Sequence, residues 1–263
     1  MWFSALVGAA LLATAPAPAT PSADQIIAKY VQRVGGMDKI QAVNTLRRTG
    51  KLTQSNGSEA IVVSENKRPN KVRQDFTLQG MTAISAYDGT TGWRVSPFQG
   101  KKDPEAMSED DVKGMVEDSD LDDPLFNYQD KGNKVVVLGK DDVEGTETYK
   151  VLVTLKDGTE RTYYLDTDSG VPIKIEVKRI IRGAPQESEE FLGDYKEVSG
   201  WYLPFAIETG AKGSSQHAKI TYDKIEANVP IDDAHFAMPK TSGGATPPAS
   251  ATKSGSVTLR DKD

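Results

Sequence analysis

The sequence has no cysteine and only two histidines among its 263 residues. Without a thiol, the chain can form no disulfide, no thiolate metal site and no cysteine nucleophile. A serine-hydrolase triad would have to combine Ser214 or Ser215 with His217, but the G-x-S-x-G turn that presents such a serine is absent. His235 is expected in a turn or at the surface. The sequence therefore predicts no catalytic residue, no metal and no cofactor.

Phosphate-binding glycine motifs and an excess of positive charge are also missing. Neither G-x-x-x-x-G-K-[ST] nor G-x-G-x-x-G occurs in the chain. The 32 Lys and Arg residues are outnumbered by 38 Asp and Glu residues, which gives a net charge of −6 at pH 7. Proteins that bind nucleic acid neutralise its phosphates with an excess of basic residues. We therefore expect no nucleic-acid partner.

No apolar run is long enough to span a bilayer, which takes about 20 helical residues. The run at residues 2–13 is 12 residues long and is followed by three overlapping A-x-A patterns between residues 13 and 19. This arrangement is typical of a cleavable export signal, although the first basic residue is Lys29. A buried helix is the alternative, which the following prolines disfavour. We predict a signal peptide at residues 1–19, a periplasmic mature protein and no lipobox cysteine.

The other end of the chain differs in composition from the body. Residues 240–263 are mostly small and polar and are rich in Pro, Gly and Ser. Such a segment has too little apolar surface to offset the entropy of ordering it, so we expect a disordered tail. Residues 20–239 show no linker-like break in composition, and we expect them to form one domain.

Within the body, a helical pattern gives way to strands. Apolar residues recur on one helical face between Ser22 and Gly35, and further short helices are predicted at 37–44 and 108–118. After Leu46 the period changes to two, with turn residues at the intervals typical of antiparallel strands. Strands are predicted near 46–54, 59–66, 71–78, 81–87, 92–96, 134–138, 147–155, 159–165, 172–181, 187–196, 201–208 and 215–226.

The alternation gives the sheet one apolar face and one polar face. A sheet of roughly ten or more antiparallel strands cannot stay flat. We therefore predict a mainly β (α+β) fold, a curved antiparallel half-barrel capped by short helices. A few helices would leave an apolar cavity on the concave face, of a kind that receives acyl chains. With the strand register as the main assumption, the predicted cavity-lining residues are Phe76, Leu78, Met81, Trp93, Val95 and Phe98.

Residues 103–123 carry ten acidic side chains and one lysine. Asp118, Asp120 and Asp122 have the opening spacing of a calcium loop, but Asp123 stands where the loop needs glycine, and no glutamate occupies the last ligand position. The segment is therefore not an EF-hand. A solvated lid and a loose divalent-cation site are the two interpretations that remain.

Three motif-bearing segments cover much of the body: NKRPNKVRQDF with YDGTTGW at 66–93, VPIDDAHFAMP at 229–239, and GGMDKIQAVNTLRRTGK at 35–51. Together they resemble the periplasmic lipoprotein carriers of the LolA/LolB type, and the last segment is typical of outer-membrane lipoprotein-sorting-like relatives. The resemblance implies an incomplete barrel whose cavity shields acyl chains. It also implies that Arg68 ties the lid to the barrel and that Trp93 is the aromatic residue of the hairpin.

These features predict a non-enzymatic periplasmic carrier or binding protein that shields the acyl chains of a lipoprotein or lipid. An inward Arg68 would hold the lid shut by hydrogen bonds to backbone carbonyls, or meet a polar headgroup. The expected protein is a monomer, with an inner- or outer-membrane protein as a candidate partner. The alternative is a non-catalytic envelope module that binds a partner protein through its sheet surface. A hydrolase with paired carboxylates is a third option, which no spacing supports.

Overall fold

The computed structural model describes residues 20–181 and 183–240. The predicted signal peptide at 1–19 lies outside the described residues, as does the predicted tail beyond its first residue. Within the described ranges, the chain forms three α-helices and thirteen β-strands. The longest helices have 11 residues, and no helix in this part of the chain is long and apolar enough to cross a membrane.

Helix α1 (Ala23–Arg33) begins and ends where the sequence predicts. The Ser22 hydroxyl accepts a hydrogen bond from the Gln25 N–H at 3.3 Å, and the Gln25 side chain accepts one from the Ser22 N–H at 2.9 Å. This reciprocal capping box satisfies two backbone donors of the first turn. Gly35 follows the helix at φ 120°, where a side chain would collide with the Gly200 carbonyl.

The other two helices are short and differ in how they begin. Helix α2 (Met37–Gln41) has no side-chain cap and is shorter than the predicted 37–44. Helix α3 (Glu109–Ser119) begins at Ser108, whose hydroxyl accepts a hydrogen bond from the Asp111 N–H at 3.2 Å. Three acidic residues in its first turn favour the positive end of the helix dipole. The prediction of a third helix in the acidic segment is therefore confirmed.

One antiparallel sheet contains all thirteen strands. The strands are β1 (Thr45–Thr53), β2 (Glu59–Lys67), β3 (Lys71–Leu78), β4 (Met81–Tyr87), β5 (Gly92–Ser96), β6 (Lys101–Ala106), β7 (Lys134–Val143), β8 (Thr146–Thr154), β9 (Glu160–Asp166), β10 (Pro172–Ile181), β11 (Ala184–Val198), β12 (Trp201–Ala211) and β13 (Ala218–Ala227).

The strand order is β6-β5-β4-β3-β2-β1-β13-β12-β11-β10-β9-β8-β7. Almost every neighbour in the sheet is also the neighbour in sequence. The exception is the pairing of β1 with β13, which runs from Leu46 opposite Ala227 to Thr53 opposite Lys219. This pairing joins two meanders, β1–β6 and β7–β13, into one surface.

Strands β6 and β7 are the two free edges, and within the described ranges they do not pair with each other. So wide a sheet twists and curls, and because its edges stay apart it forms an open half-barrel. The predicted fold is therefore confirmed. The chain between β6 and β7 passes from one free edge to the other and carries α3.

The hydrophobic core lies on the concave face of β7–β13, under α1, α2 and the loop after α3. Leu46, Val151 and Tyr163 are completely buried there. Alternate residues of these strands project to the same face, which explains how a period of two produces a continuous apolar layer. A separate, smaller cluster joins α3 to β3 and β4 through Val72, Tyr87 and Met115.

The predicted strands are all present, with their ends shifted by a few residues, and one additional strand was missed. Strand β6 has the sequence KKDPEA, which has no apolar alternation and contains Pro104. Proline lacks the N–H needed for pairing on both sides, so it is tolerated at the edge of a sheet. The position of β6 at a free edge therefore explains both its sequence and why the pattern did not reveal it.

We expect Leu46→Ala to lower the free energy of unfolding by about 2–5 kcal/mol, because it leaves a cavity between β1 and the helices. Leu46 is 0% exposed. Ile61→Ala is the matched control on the neighbouring strand, where the side chain is 55% exposed, and it should cost less than about 1 kcal/mol. Urea unfolding measures both variants, and equal losses would contradict the placement of the core.

Candidate functional site

The main cavity of interest lies on the concave face beneath the segment 108–133, which we call the lid. The lid consists of α3 and the loop that follows it. The cavity has a volume of about 680 Å³, within the range of roughly 300–1,000 Å³ that is usual for small-molecule sites. Its walls come from α1, the lid, β1, β9–β12 and the turn after β8.

A large part of the cavity wall is apolar. The rings of Tyr30 on α1 and Phe126 on the lid lie 5.2 Å apart with their planes at 40°. Strands β10 to β12 supply the opposite surface. The apolar lining residues are Leu121, Phe126, Leu155, Ile175, Leu192, Trp201, Leu203 and Ile207.

A second part of the wall is ionic and centres on Glu117 at the end of α3. Its carboxylate accepts a hydrogen bond from Arg161 Nε at 2.6 Å and lies 3.2 Å from Arg179 Nη2. The Glu117 side chain is only 13% exposed. Burial lowers the pKa of Arg161, but Tyr163, Glu117 and Glu190 outweigh it, so the net shift is upward. The ionised Glu117 thus fastens the lid to β9 and β10.

Arg48 projects from β1 into the same cavity and has few partners. Its Nη1 donates to the Asn66 side-chain oxygen at 2.8 Å. No carboxylate oxygen of the described residues lies within 4.0 Å of its nitrogens. Burial lowers the pKa of Arg48, and Tyr222 and Asp118 raise it by attraction. Arginine remains charged in proteins, so the cavity contains a cation without a close counterion.

Two carboxyl groups, one at the end of α3 and one on β11, have raised pKa values. Burial raises the pKa of Asp118, whose Oδ2 accepts a hydrogen bond from Gln74 at 3.1 Å. Burial also raises the pKa of Glu190 on β11, against the attraction of Arg161. Removing a carboxylate from water disfavours its charged form, which explains why both pKa values are raised.

Asp123 is a further buried carboxyl group, in the loop of the lid. Its Oδ1 accepts the Leu125 N–H at 2.8 Å, and its Oδ2 lies 3.4 Å from the Tyr30 hydroxyl and 3.3 Å from the Tyr163 hydroxyl. Burial raises the pKa of Asp123, although these hydrogen bonds oppose the shift. The two hydroxyls connect the lid to α1 and to β9.

Arg68 connects three parts of the fold at the side of the lid. Its Nε donates to the Val43 carbonyl at 2.8 Å, and its Nη2 donates to the Ile40 carbonyl at 3.2 Å. The same guanidinium binds both carboxylate oxygens of Asp122, at 3.0 and 2.6 Å. Such bidentate pairs combine charge with a defined geometry. Arg68 thus bonds the carbonyls of Ile40 and Val43 and a carboxylate of the lid, and it lies outside the residues that line the cavity.

Two further acidic side chains of the lid pair with protein cations, and a third bonds to a neutral side chain. Asp120 pairs with Lys131 at 2.6 Å, whereas Asp122 pairs with Arg68 and Asp118 faces β3. These three aspartates have the calcium-loop spacing in sequence, but in the structure each one faces a different partner. This arrangement favours the lid interpretation of the acidic segment.

Four of the predicted cavity residues lie on the concave side of β3–β5 but outside the main cavity. Val72 packs against α3, and Phe76 and Leu78 alternate with it on the same face of β3. Met81 pairs with Leu78, and the rings of Phe76 and Phe98 lie 6.0 Å apart. Met81 and Phe98 are 41% and 44% exposed. Together these side chains form a half-exposed apolar patch, whose role in ligand binding stays a prediction.

Trp93 and Val95 project from the opposite, convex face of β5. Arg94, which lies between them, reaches Asp111 on α3 at 3.1 Å, so its two neighbours point away from the lid. Trp93 is 1% exposed, and its Nε1 donates to the Phe236 carbonyl at 2.7 Å. The one-residue register on which the prediction depended therefore places these two side chains outside the cavity.

The three motif-bearing segments meet in the fold. Asp233 of the last segment pairs with Lys67 at 2.6 Å and with Lys71 at 3.0 Å. Trp93 anchors the same segment through the Phe236 carbonyl. On the other side, Arg68 bonds to the carbonyls of 35–51, as described above. The three motif-bearing segments are thus linked to one another by hydrogen bonds and ion pairs, and Arg68 connects them to the lid.

Neither histidine lines the cavity. His235 bonds to Glu65, which also accepts a hydrogen bond from Arg47 at 2.6 Å. Burial raises the pKa of Glu65, but the bonds with Arg47 and His235 lower it by more, so the net shift of this pKa is downward. His217 lies 3.4 Å from Glu189. The histidines therefore belong to ion-pair clusters on the outside of the half-barrel.

Comparison with known proteins places this architecture among solved structures. The sequence matches no protein-family model and no curated protein. A domain from Vibrio parahaemolyticus, assigned to the outer membrane lipoprotein-sorting proteins, superposes with a TM-score of 0.56 at 13% identity, covering 82% of this chain and 97% of that chain. A LolA superfamily protein from Nitrosomonas europaea gives 0.55 at 11% identity, with 83% and 98% covered.

This chain shares its fold with these two structures. A DUF1329 family protein from Desulfovibrio piger also shares it, with a TM-score of 0.55 at 11% identity, covering 83% of this chain and 98% of that chain. The likeness predicted from three short motifs is therefore confirmed at the level of the LolA-type half-barrel. At such low identity it describes the fold, and the chemistry of the cavity follows from the residues of this chain.

Sequence reasoning singled out Arg68, which bonds to the lid beside the cavity, but missed most of the residues that line the cavity. Arg48 and Arg161 look like ordinary polar positions of alternating strands, and Glu117 like one charge in an acidic helix. Their partners are far away in sequence: Arg161 and Glu117 are 44 residues apart. The one sequence signal was strand alternation: Arg48 is two residues after the buried Leu46 on β1, so both side chains project to the concave face.

We expect Asp123→Asn to change how stability depends on pH. The folded state holds the Asp123 proton more tightly than the unfolded chain, whose aspartate pKa is about 3.9. This group's contribution to stability is therefore present at low pH and is lost as pH rises above that value. The unfolding free energy of the variant, relative to the wild type, should increase from about pH 4 to about pH 7.

Urea unfolding at several pH values measures this difference. Asp130→Asn, at an exposed position of the same loop, is the matched control and should leave the curve unchanged. If the unfolding free energy of Asp123→Asn differs from that of the wild type by the same amount at every pH, the folded state does not change the pKa of this carboxyl group.

Proposed function

We propose that this chain is a non-enzymatic periplasmic binding or carrier protein that shields an acyl chain of a lipid or lipoprotein. The observation that carries this proposal is the lidded cavity of about 680 Å³ on the concave face. Its wall joins aromatic and aliphatic side chains of α1, the lid and β10–β12, so it offers an acyl chain an apolar surface away from water.

The energetics suit reversible binding. Each methylene removed from water contributes about 0.8 kcal/mol, so one long acyl chain provides roughly 10 kcal/mol of gross driving force. Part of this is offset by the loss of motional freedom on binding and by movement of the lid. Ion pairs of Glu117 fasten α3, whereas the loop after it buries Leu125 and Phe126 in the core. Helix α3 is therefore the part of the lid that can be displaced with the smaller exposure of apolar surface.

The cavity differs from the purely apolar one expected from the sequence. Arg48, Arg161 and Glu117 line it beside the apolar residues. The lid introduces Glu117, and the sheet supplies the arginines that pair with it, which no strand pattern reveals. A mixed wall suits an amphiphile better than a plain hydrocarbon, because both parts of the ligand then meet matching surface.

The half-exposed patch of Phe76, Leu78, Met81 and Phe98 extends the proposal. This patch lies on the concave side of the sheet, beyond the edge of the lid that α3 forms. We propose it as an accessible apolar contact for the part of the ligand that leaves the cavity. Trp93 and Val95 would affect ligand only through the packing of β5.

The location and partners follow from the same proposal. The predicted signal at 1–19 and the similarity in fold to a lipoprotein-sorting domain support a place in the cell envelope. A monomer that meets an inner- or outer-membrane protein is consistent with carriage between membranes. If the protein is instead an interaction module, its cavity is incidental and blocking the cavity leaves its function intact.

We expect Leu192→Trp to reduce lipid binding about tenfold, because the larger ring occupies the cavity that Leu192 lines. The measurement is native mass spectrometry of the protein after incubation with a bacterial lipid extract. Leu138→Trp is the matched control, at a position on β7 that is 52% exposed. It should bind lipid as the wild type does.

Two results would count against the proposal. The wild type might carry no lipid under conditions where the fold is intact by circular dichroism. Alternatively, Leu192→Trp and Leu138→Trp might bind equal amounts, which would place the lipid outside this cavity and favour binding through the sheet surface.

We expect Arg68→Leu to weaken closure of the lid and to slow release of bound lipid. The variant loses the bonds to Asp122 and to the carbonyls of α2, which stabilise the closed, empty form. Loss of a charge-assisted hydrogen bond costs about 2 kcal/mol, so the balance between closed and open forms should shift roughly 30-fold. Transfer of a fluorescent fatty acid to acceptor vesicles measures the release rate.

The control is Lys51→Leu, which removes an exposed cation from the convex side of β1. It should leave the release rate unchanged. If Arg68→Leu releases ligand at the wild-type rate, the ion pair with Asp122 has no part in closing the cavity.

A further inference from the structure

The most unusual group in the cavity wall is Arg48. The other arginines that contact the lid each have a carboxylate partner: Arg161 and Arg179 share Glu117, Arg68 pairs with Asp122, and Arg94 pairs with Asp111. Among the described residues, Arg48 bonds only to the neutral side chain of Asn66, through one of its terminal nitrogens. A guanidinium has five N–H donors, so most of the donors of Arg48 make no bond to a protein carboxylate and are available in the cavity.

A charge in such a place is costly unless something compensates it. Taking an ion out of water costs free energy that a nearby opposite charge can offset. Asp118 is the carboxyl group whose attraction acts on Arg48, and it lies beyond ion-pair distance of the guanidinium. The Tyr222 hydroxyl on β13 is a neutral neighbour. The protein therefore leaves an anion-binding position open at this point of the wall.

The volume of the cavity limits what can fill it. At roughly 30 Å³ per heavy atom, the volume of a water molecule in the liquid, a cavity of about 680 Å³ has room for roughly twenty heavy atoms. One long acyl chain with a small head has this size.

We infer that Arg48 binds the anionic head, a carboxylate or a phosphate, of a single-chain amphiphile whose acyl chain lies on the apolar wall of the cavity. This inference rests on the proposed function and specifies its ligand class. The guanidinium presents its donors in a planar fork that matches both oxyanions. The Asn66 side chain holds the guanidinium in place, and Asn66 in turn donates to the Asp118 carbonyl at 2.7 Å.

The experiment compares three probes that share one chain: hexadecanoate, a lysophosphatidate with a hexadecanoyl chain, and hexadecanol. Displacement of a fluorescent fatty acid from the whole mature chain gives their affinities. At least one anion should bind the wild type about tenfold or more tightly than the neutral alcohol, because hydrogen bonds to charged groups are the stronger ones. The better of the two anions identifies the head as carboxylate or phosphate.

Arg48→Met removes the charge and keeps much of the side-chain volume. It should weaken binding of the preferred anion ten- to a hundredfold and leave hexadecanol within about twofold. The alcohol thus serves as the check that the variant is folded and its cavity intact. Lys51→Met, which removes one positive charge from the opposite face of the same strand, should change neither affinity.

The outcomes separate the two proposals. If the alcohol binds the wild type as tightly as both anions, or if Arg48→Met leaves anion binding unchanged, the assignment of Arg48 is overturned while the lipid-binding function stands. If none of the three probes binds, the proposed function fails and this inference fails with it. The wild-type comparison requires no variant, so a poorly folding Arg48→Met would not prevent the test.

Discussion

Attraction between an acidic lid and the basic wall beneath it is the interaction on which the site depends. Helix α3 buries little apolar surface, chiefly through Met115, and it is held by Glu117 on Arg161 and Arg179. Removing such charges from water offsets much of what their attraction gains, so a partly buried ion pair adds little net stability but defines a geometry. A cover fastened in this way is well placed and still movable.

The same constraint gives the cavity its chemical character. Asp122 pairs with Arg68, and Glu117 pairs with both Arg161 and Arg179, beside the apolar residues of α1 and β10–β12. No lid carboxylate reaches Arg48. An arginine without a carboxylate partner in the lid therefore lies on one strand near the middle of the sheet, beside the junction of β1 and β13.

Much of the fold could be predicted because strand alternation is a local property, visible in β8 and β10 without knowledge of their partners. Strand β6 was hidden by its charges and proline, and β5 shows how one residue of register reverses a prediction: Arg94, and neither Trp93 nor Val95, faces the lid. Arg68 was found because a motif marks it. The ionic wall could not be found, since pairs such as Arg161 with Glu117 form only when distant segments fold together.

The lid is also the connection between the two free edges of the sheet, from the end of β6 to the start of β7. Because this connection is attached to the sheet at both ends, it can move away from the sheet only as far as its length allows. Any separation of the two edges of the half-barrel would therefore pull on this connection and strain the ion pairs that hold α3. The length of the connection sets how far the two edges can move apart.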